Sequence, residues 1–116
     1  MELKGKAKLV RIFVGESDVL HHASVYEQIV IEARKRGLAG ATVTRGIMGF
    51  GGSSRIHTAK ILRLSEDLPL IIEIVDTEEK INDFLPVLNE MFEESNSGGL
   101  ITMEGVDIIK YIKVKK

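Results

Sequence analysis

PLIIEIV, residues 69–75, puts Leu70, Ile72 and Ile74 on one side of an extended chain and Ile71 and Val75 on the other. A short run that is apolar on both faces reads as a strand covered on both sides, hence a central strand of a sheet. AKLVRIFVG, residues 7–15, has the same character, with Leu9 and Phe13 opposing Val10, Ile12 and Val14. Two such strands in a chain of 116 residues are the spine of the fold, and the other segments must supply edges and cover.

Outward from PLIIEIV, Asp76 or Thr77 is expected to cap a helix whose first turn carries Glu78 and Glu79, favourable at the positive end of the helix dipole. Ile81, Phe84, Leu85, Leu88, Met91 and Phe92 form its apolar stripe, and Pro86, which leaves the Asn82 carbonyl without its usual partner, predicts a kink or a re-start. SNSGG, residues 95–99, breaks the chain before a last strand over Leu100 to Ile109, with Tyr111 to Val114 as a short extension.

On the other side, Ser24 and Glu27 have the spacing of a capping box. The helix that follows has Val25, Tyr26, Ile29, Val30 and Ala33 at helical spacing, basic residues Arg34 to Arg36 in its last turn and Gly37 for a left-handed cap. Gly40 to Met48 then reads as a strand with Ala41, Val43 and Ile47 opposing Thr42 and Thr44, a mixture suited to a sheet edge.

The order is βαββαβ, which predicts an α+β, ferredoxin-like sandwich: one domain over residues 1–116, an antiparallel sheet with two helices on one face, and a long loop between strands two and three. Two helices cover one face only. The apolar residues on the other side of the two central strands therefore predict self-association through the open sheet face.

The long loop, Arg45 to Leu68, is RGIMGFGGSSRIHTAKILRLSEDL. Connections this long without periodicity are uncommon in compact domains. Within it, Ile56 to Leu64 alternates imperfectly and reads as a further strand or an extended arm. Its glycines give neither a Walker loop, which closes on lysine and a hydroxyl, nor a dinucleotide fingerprint, which needs a following helix. From Ala33 to Ser65 the chain has basic residues and no acids, whereas Lys80 is the only basic residue from Glu66 to Glu104. The basic part either attracts a small anion or is neutralised by the acidic part in space.

A net charge of −1 argues against nucleic acid as a partner. The absence of cysteine excludes disulfides and thiolate chemistry, and with no signal-peptide pattern and no run of about 18 to 20 apolar residues the protein is expected to be cytoplasmic and not membrane-embedded. His21 and His22 before a helix, with His57 farther along, could together hold zinc or copper, but the spacing is poor support and His21 and His22 read as solvated loop residues, so no metal site is assigned. Ser53 and Ser54 lie near His57 without an orienting acid, and no catalytic constellation or cofactor motif is present, so the chain is read as non-enzymatic.

GATVTRGIMGFGG, residues 40–52, resembles the strand-plus-loop signature of the PII signalling proteins, through Gly40, Thr42, Val43, Thr44, Gly49, Phe50 and Gly51. GGLITMEGVDIIKYIK, residues 98–113, resembles the glycine turn and last strand of that superfamily. The chain as a whole is more similar to a poorly characterised PII-like family of small bacterial and archaeal proteins. The resemblance implies a homotrimer with sheets facing inward and ligands in the clefts between subunits. Three departures stand out: the Thr44–Gly49 spacing is one residue longer, the loop has no tyrosine for uridylylation, and Leu100 follows Gly99 where PII has a phosphate-binding lysine.

The expected function is that of a homotrimeric regulator binding a small anionic effector, such as an adenine nucleotide, and acting through its long loop on a target such as a membrane transporter or channel. The residues expected at the ligand are Thr42, Thr44, Arg45, Gly49, Phe50, Gly51, Gly52, Arg55, Gly98 and Gly99. The alternative is a metal-responsive or structural trimer of the same fold without a nucleotide effector.

Overall fold

In chain order the elements are β1 (Gly5–Gly15), a hairpin of β2 (Val19–Leu20) and β3 (Ala23–Ser24), α1 (Val25–Lys35), β4 (Thr42–Arg45), β5 (Met48–Phe50), β6 (Ile56–Thr58), β7 (Pro69–Asp76), α2 (Glu78–Ser95) and β8 (Leu100–Ile108). The computed structural model describes residues 4–50, 56–58 and 68–114. β4, β7, β1 and β8 form one antiparallel sheet in that order, so the two strands apolar on both faces are the central ones, as their composition predicts. This is the ferredoxin-like arrangement.

The register Ile12↔Ile72 and Val10↔Ile74 aligns the buried sides of the central strands. Val10, Ile12, Val14, Leu70, Ile72 and Ile74 pack against Val25, Ile29 and Ala33 of α1 and Ile81, Phe84 and Leu88 of α2. Full burial of each large side chain is worth about 1.5–3 kcal/mol, which makes this layer the main source of stability. The opposite face carries Leu9, Phe13, Ile71 and Val75, all half-buried within the single chain.

α1 ends in a Schellman motif. Gly37, at φ +76°, donates to the Arg34 carbonyl at 3.1 Å, and Leu38 donates to the Ala33 carbonyl at 3.1 Å while packing on the core. At its start Ser24 is the N-cap in backbone conformation, but its side chain makes no capping hydrogen bond, so only the boundary of the expected capping box holds.

α2 runs without interruption from Glu78 to Ser95 and does not re-start at Pro86. Pro86 and Asn82 both lie on the exposed side, where water can satisfy the carbonyl that proline leaves unpaired. Thr77 is its cap, accepting from the Lys80 amide at 3.3 Å. The neighbouring Asp76 is fully buried and accepts from Thr77 N–H at 2.7 Å and from Ala39 N–H at 2.9 Å. It ties the start of α2 to the chain leading into β4.

Two further expectations are corrected. The strand expected over Gly40 to Met48 is divided into β4 and β5, because the chain turns at Gly46 against Pro69. β5 then pairs with β6, Gly49 opposite His57, so residues 48–50 and 56–58 of the long loop form a two-stranded ladder. The expected extension over Tyr111 to Val114 has no strand, and β8 ends at Ile108.

Candidate functional site

β4 is an edge strand with all four residues exposed. Its register, Thr42↔Glu73, Val43↔Ile72 and Thr44↔Ile71, puts both threonines on the open face and Val43 on the helix face. The strand joins two distinct places. At one end is a groove on the open face, and at the other is the root of the long loop.

The groove has a volume of about 780 Å³ and is lined by Leu9, Arg11, Thr42, Glu73 and Tyr111, among others. That size suits a small organic ligand. Tyr111 closes one side: its O–H donates to the Ala39 carbonyl at 3.0 Å, bringing the segment after β8 toward the start of β4. The floor is charged. Arg11 Nε donates to Glu73 Oε2 at 2.7 Å, and its Nη1 donates to Glu104 on the other neighbouring strand. These hydrogen bonds, to Glu73 first and then Glu104, raise the guanidinium above its ordinary value, so Arg11 is a permanent cation between two carboxylates.

The loop root is built from three strand ends. Gly46 N–H donates to the Pro69 carbonyl at 2.7 Å, and Glu16 N–H donates to the Leu68 carbonyl at 2.8 Å. A Cβ on Gly46 would stand 2.9 Å from Pro69 Cγ, and one on Gly49 would stand 3.3 Å from it, so the proline ring uses the space both glycines leave open. Arg45 is exposed but paired, its guanidinium donating to the Glu16 carboxylate.

Of the residues expected at the ligand, Thr42, Thr44, Arg45, Gly49 and Phe50 lie along β4 and β5. Gly51, Gly52 and Arg55 lie outside the described residues. Gly98 and Gly99 precede β8, at the same end of the sheet as Arg45 but on its opposite edge. Three strand spacings, roughly 14 Å, separate the two edges, so one chain does not bring these glycines to Arg45. Gly99 also has a packing reason: an added Cβ would stand 2.5 Å from Phe92 Cε1 and 3.2 Å from the Phe13 carbonyl oxygen.

His21 and His22 are the two central residues of the β2–β3 hairpin, at φ 52° and 69°. Both are left-handed, the conformation of a type I′ turn. His21 Nε2 lies 3.4 Å from Glu94 Oε2. Among the described residues no group of three or more histidine or acidic side chains stands where it could hold a metal ion.

The sequence reading missed Glu16, Glu73 and Tyr111, and it named Asp76 only as an alternative cap of α2, not as the acceptor of the Ala39 amide. Only Asp76, acidic at the end of a buried strand, left a local signal. The described ion pairs of the basic segment, Arg36–Glu32 and Arg45–Glu16, use acids that precede it rather than the acidic stretch after it. No described helix is long and apolar enough to cross a membrane.

Comparison with known proteins agrees with this architecture. Residues 7–108 match DUF190, described as "Uncharacterized ACR, COG1993". A UPF0166 protein of Aquifex aeolicus (strain VF5) is 39% identical over 104 residues, 90% of this chain and 94% of the relative. Among solved structures, CPII of Thiomonas intermedia K12, a nitrogen regulatory PII-like protein bound to ADP, AMP and bicarbonate, superposes with a TM-score of 0.69 at 17% identity, covering 90% of each chain. A phage SAM lyase in complex with S-methyl-5'-thioadenosine superposes with a TM-score of 0.50 at 19% identity, covering 97% of this chain and 98% of the lyase. The chain belongs to the DUF190 family and has the PII-like, ferredoxin-like fold.

Proposed function

We propose that this DUF190-family chain is a homotrimeric, non-enzymatic PII-like regulator that binds a small anionic effector, an adenine nucleotide, in clefts between subunits and acts through its long loop on a target protein, for which a membrane transporter or channel is one class. The observation that carries this reading is the placement of β4. It presents Thr42, Thr44 and Arg45 along an unpaired sheet edge, between a ligand-sized groove and a glycine-rich loop root. The threonine hydroxyls face the groove, whereas Arg45, opposite Leu70, belongs to the helix side, so a ligand that uses both wraps the strand edge with its polar ring at the threonines and its anionic group at the guanidinium. The adenine nucleotides bound by CPII, a protein of the same fold, support that class.

Two features favour assembly. The open sheet face leaves Leu9, Phe13, Ile71 and Val75 half-covered in one chain. Gly98 and Gly99 reach a ligand at Arg45 only if a neighbouring subunit brings its own β8 edge to this β4 edge. The proposal of a non-enzymatic role rests on the sequence, in which Ser53 and Ser54 lie near His57 with no orienting acid close by. The lyase of the same fold shows that architecture alone does not decide that point.

The test is a thermal-shift panel of adenine nucleotides and dicarboxylates on the purified protein. Binding to the native state raises its stability with the logarithm of the ligand excess, by about 2.7 kcal/mol at a hundredfold excess over Kd, and the unfolding temperature rises with it. No stabilisation by any nucleotide would sink the effector reading in this form.

A further inference from the structure

Glu16 holds both ends of the long loop. Its amide donates to the Leu68 carbonyl at 2.8 Å, where the loop ends, and its carboxylate accepts from the guanidinium of Arg45, where the loop begins. The two charged partners are 29 residues apart in sequence and are brought together only because β1 and β4 finish on either side of the first residues of β7. The Glu16 side chain is 21% exposed, whereas Arg45 is 59% exposed, so the acid is lodged against the protein while the cation keeps an open side toward solvent.

We propose that Glu16 is a built-in competitor for the anion site: its carboxylate holds the Nη2 end of Arg45, and an anionic ligand must displace it to grip that end of the guanidinium. This inference rests on the reading of Arg45 as an anion-binding residue. Glu16 holds the Nη2 end of the Arg45 guanidinium, so a ligand phosphate that seeks a bidentate grip including Nη2 competes with it for that donor and also meets a like charge beside it. The competition sets a threshold for the ligand. It also passes the event on, because the residue released from Arg45 is the one whose amide holds Leu68.

A clasp that only stabilises the fold would behave differently. Losing it would weaken the protein without improving the affinity for any ligand. A competitor, once neutralised, leaves Arg45 free for the anion.

The experiment is a calorimetric titration of ADP into wild type, Glu16→Gln, Arg45→Gln and the double variant at low ionic strength. Glutamine keeps the size of glutamate but removes its charge and replaces one acceptor oxygen with a donor, so it holds Arg45 more weakly, and a cooperative unfolding transition checks that the fold is kept. Glu16→Gln is expected to bind ADP roughly two- to fivefold more tightly than wild type, the range set by losing one partly exposed ion pair. The gain should vanish in the Arg45→Gln background. Binding by Glu16→Gln where wild type shows none would also support the competitor. Equal or weaker binding by Glu16→Gln, or a gain that persists without Arg45, overturns it while leaving the proposed function intact. If neither wild type nor Glu16→Gln takes up ADP, both readings fall together.

Discussion

Replacing Asp76 with alanine tests how the fold positions β4. The Asp76 carboxylate has no exposure to solvent and accepts two backbone amides, Ala39 N–H at 2.9 Å and Thr77 N–H at 2.7 Å. Alanine leaves both donors without the partner they have in the native chain. Both hydrogen bonds are part-buried, so each orphaned amide falls in the lower half of the about 1–3 kcal/mol that an unsatisfied buried donor costs, and the expected loss is about 3 kcal/mol in all. Against a total stability of roughly 5–15 kcal/mol, that is a large fraction. Urea unfolding should show the loss as a lower midpoint at an unchanged slope. Amide exchange gives the local signature: the Ala39 and Thr77 amides should exchange far faster, while those of Ile12 and Ile72 should be affected only through the global loss of stability. A loss below about 1 kcal/mol, or no local change at Ala39, would refute the claim that Asp76 ties β4 to α2.

Gly99→Ala should cost about 1–3 kcal/mol in urea unfolding, because its methyl group meets Phe92 at 2.5 Å, and Phe92→Leu should recover part of that loss. A neutral Gly99→Ala would show that Phe92 moves aside freely. The double change His21→Asn/His22→Gly should raise stability by about 1 kcal/mol, since it gives the left-handed hairpin turn the residues that such turns favour, and an unchanged midpoint would contradict the turn as described. Arg11→Met leaves Glu73 and Glu104 without their shared cation on the face proposed to be buried between subunits. Light scattering should then show a shift from trimer toward monomer, and an unaltered trimer would argue that this face lies outside the interface.

Much of the fold was legible because it depends on local patterns. β1 and β7 are apolar on both faces and had to be central, and the Thr-rich strand had to be at an edge. Gly37 after a basic last turn marked the end of α1 correctly. The failures have physical reasons of their own. Two-residue strands joined by His21 and His22 carry no Asn-Gly signal, so the β2–β3 hairpin was invisible. Gly46 ends β4 because Pro69, which is 23 residues further along, stands where its side chain would be, and no local pattern encodes that neighbour.

The candidate site was legible in its glycines, threonines and Arg45, which belong to one continuous stretch. It was not legible in the residues that hold that stretch in place. Glu16 reaches it from just past the end of β1, Glu73 from β7 and Tyr111 from beyond β8, and Asp76 fixes its start from the end of β7. Each is a long-range partner whose role appears only when the sheet order is known.

The most direct test of the proposed function is a titration of ADP followed by calorimetry, on protein whose mass has been established in the same buffer by light scattering. The expected result is a trimer that takes up ADP saturably at one site per subunit. A monomer, or a trimer that gives no binding heat with ADP at millimolar concentration and no competition with AMP or ATP, would contradict it.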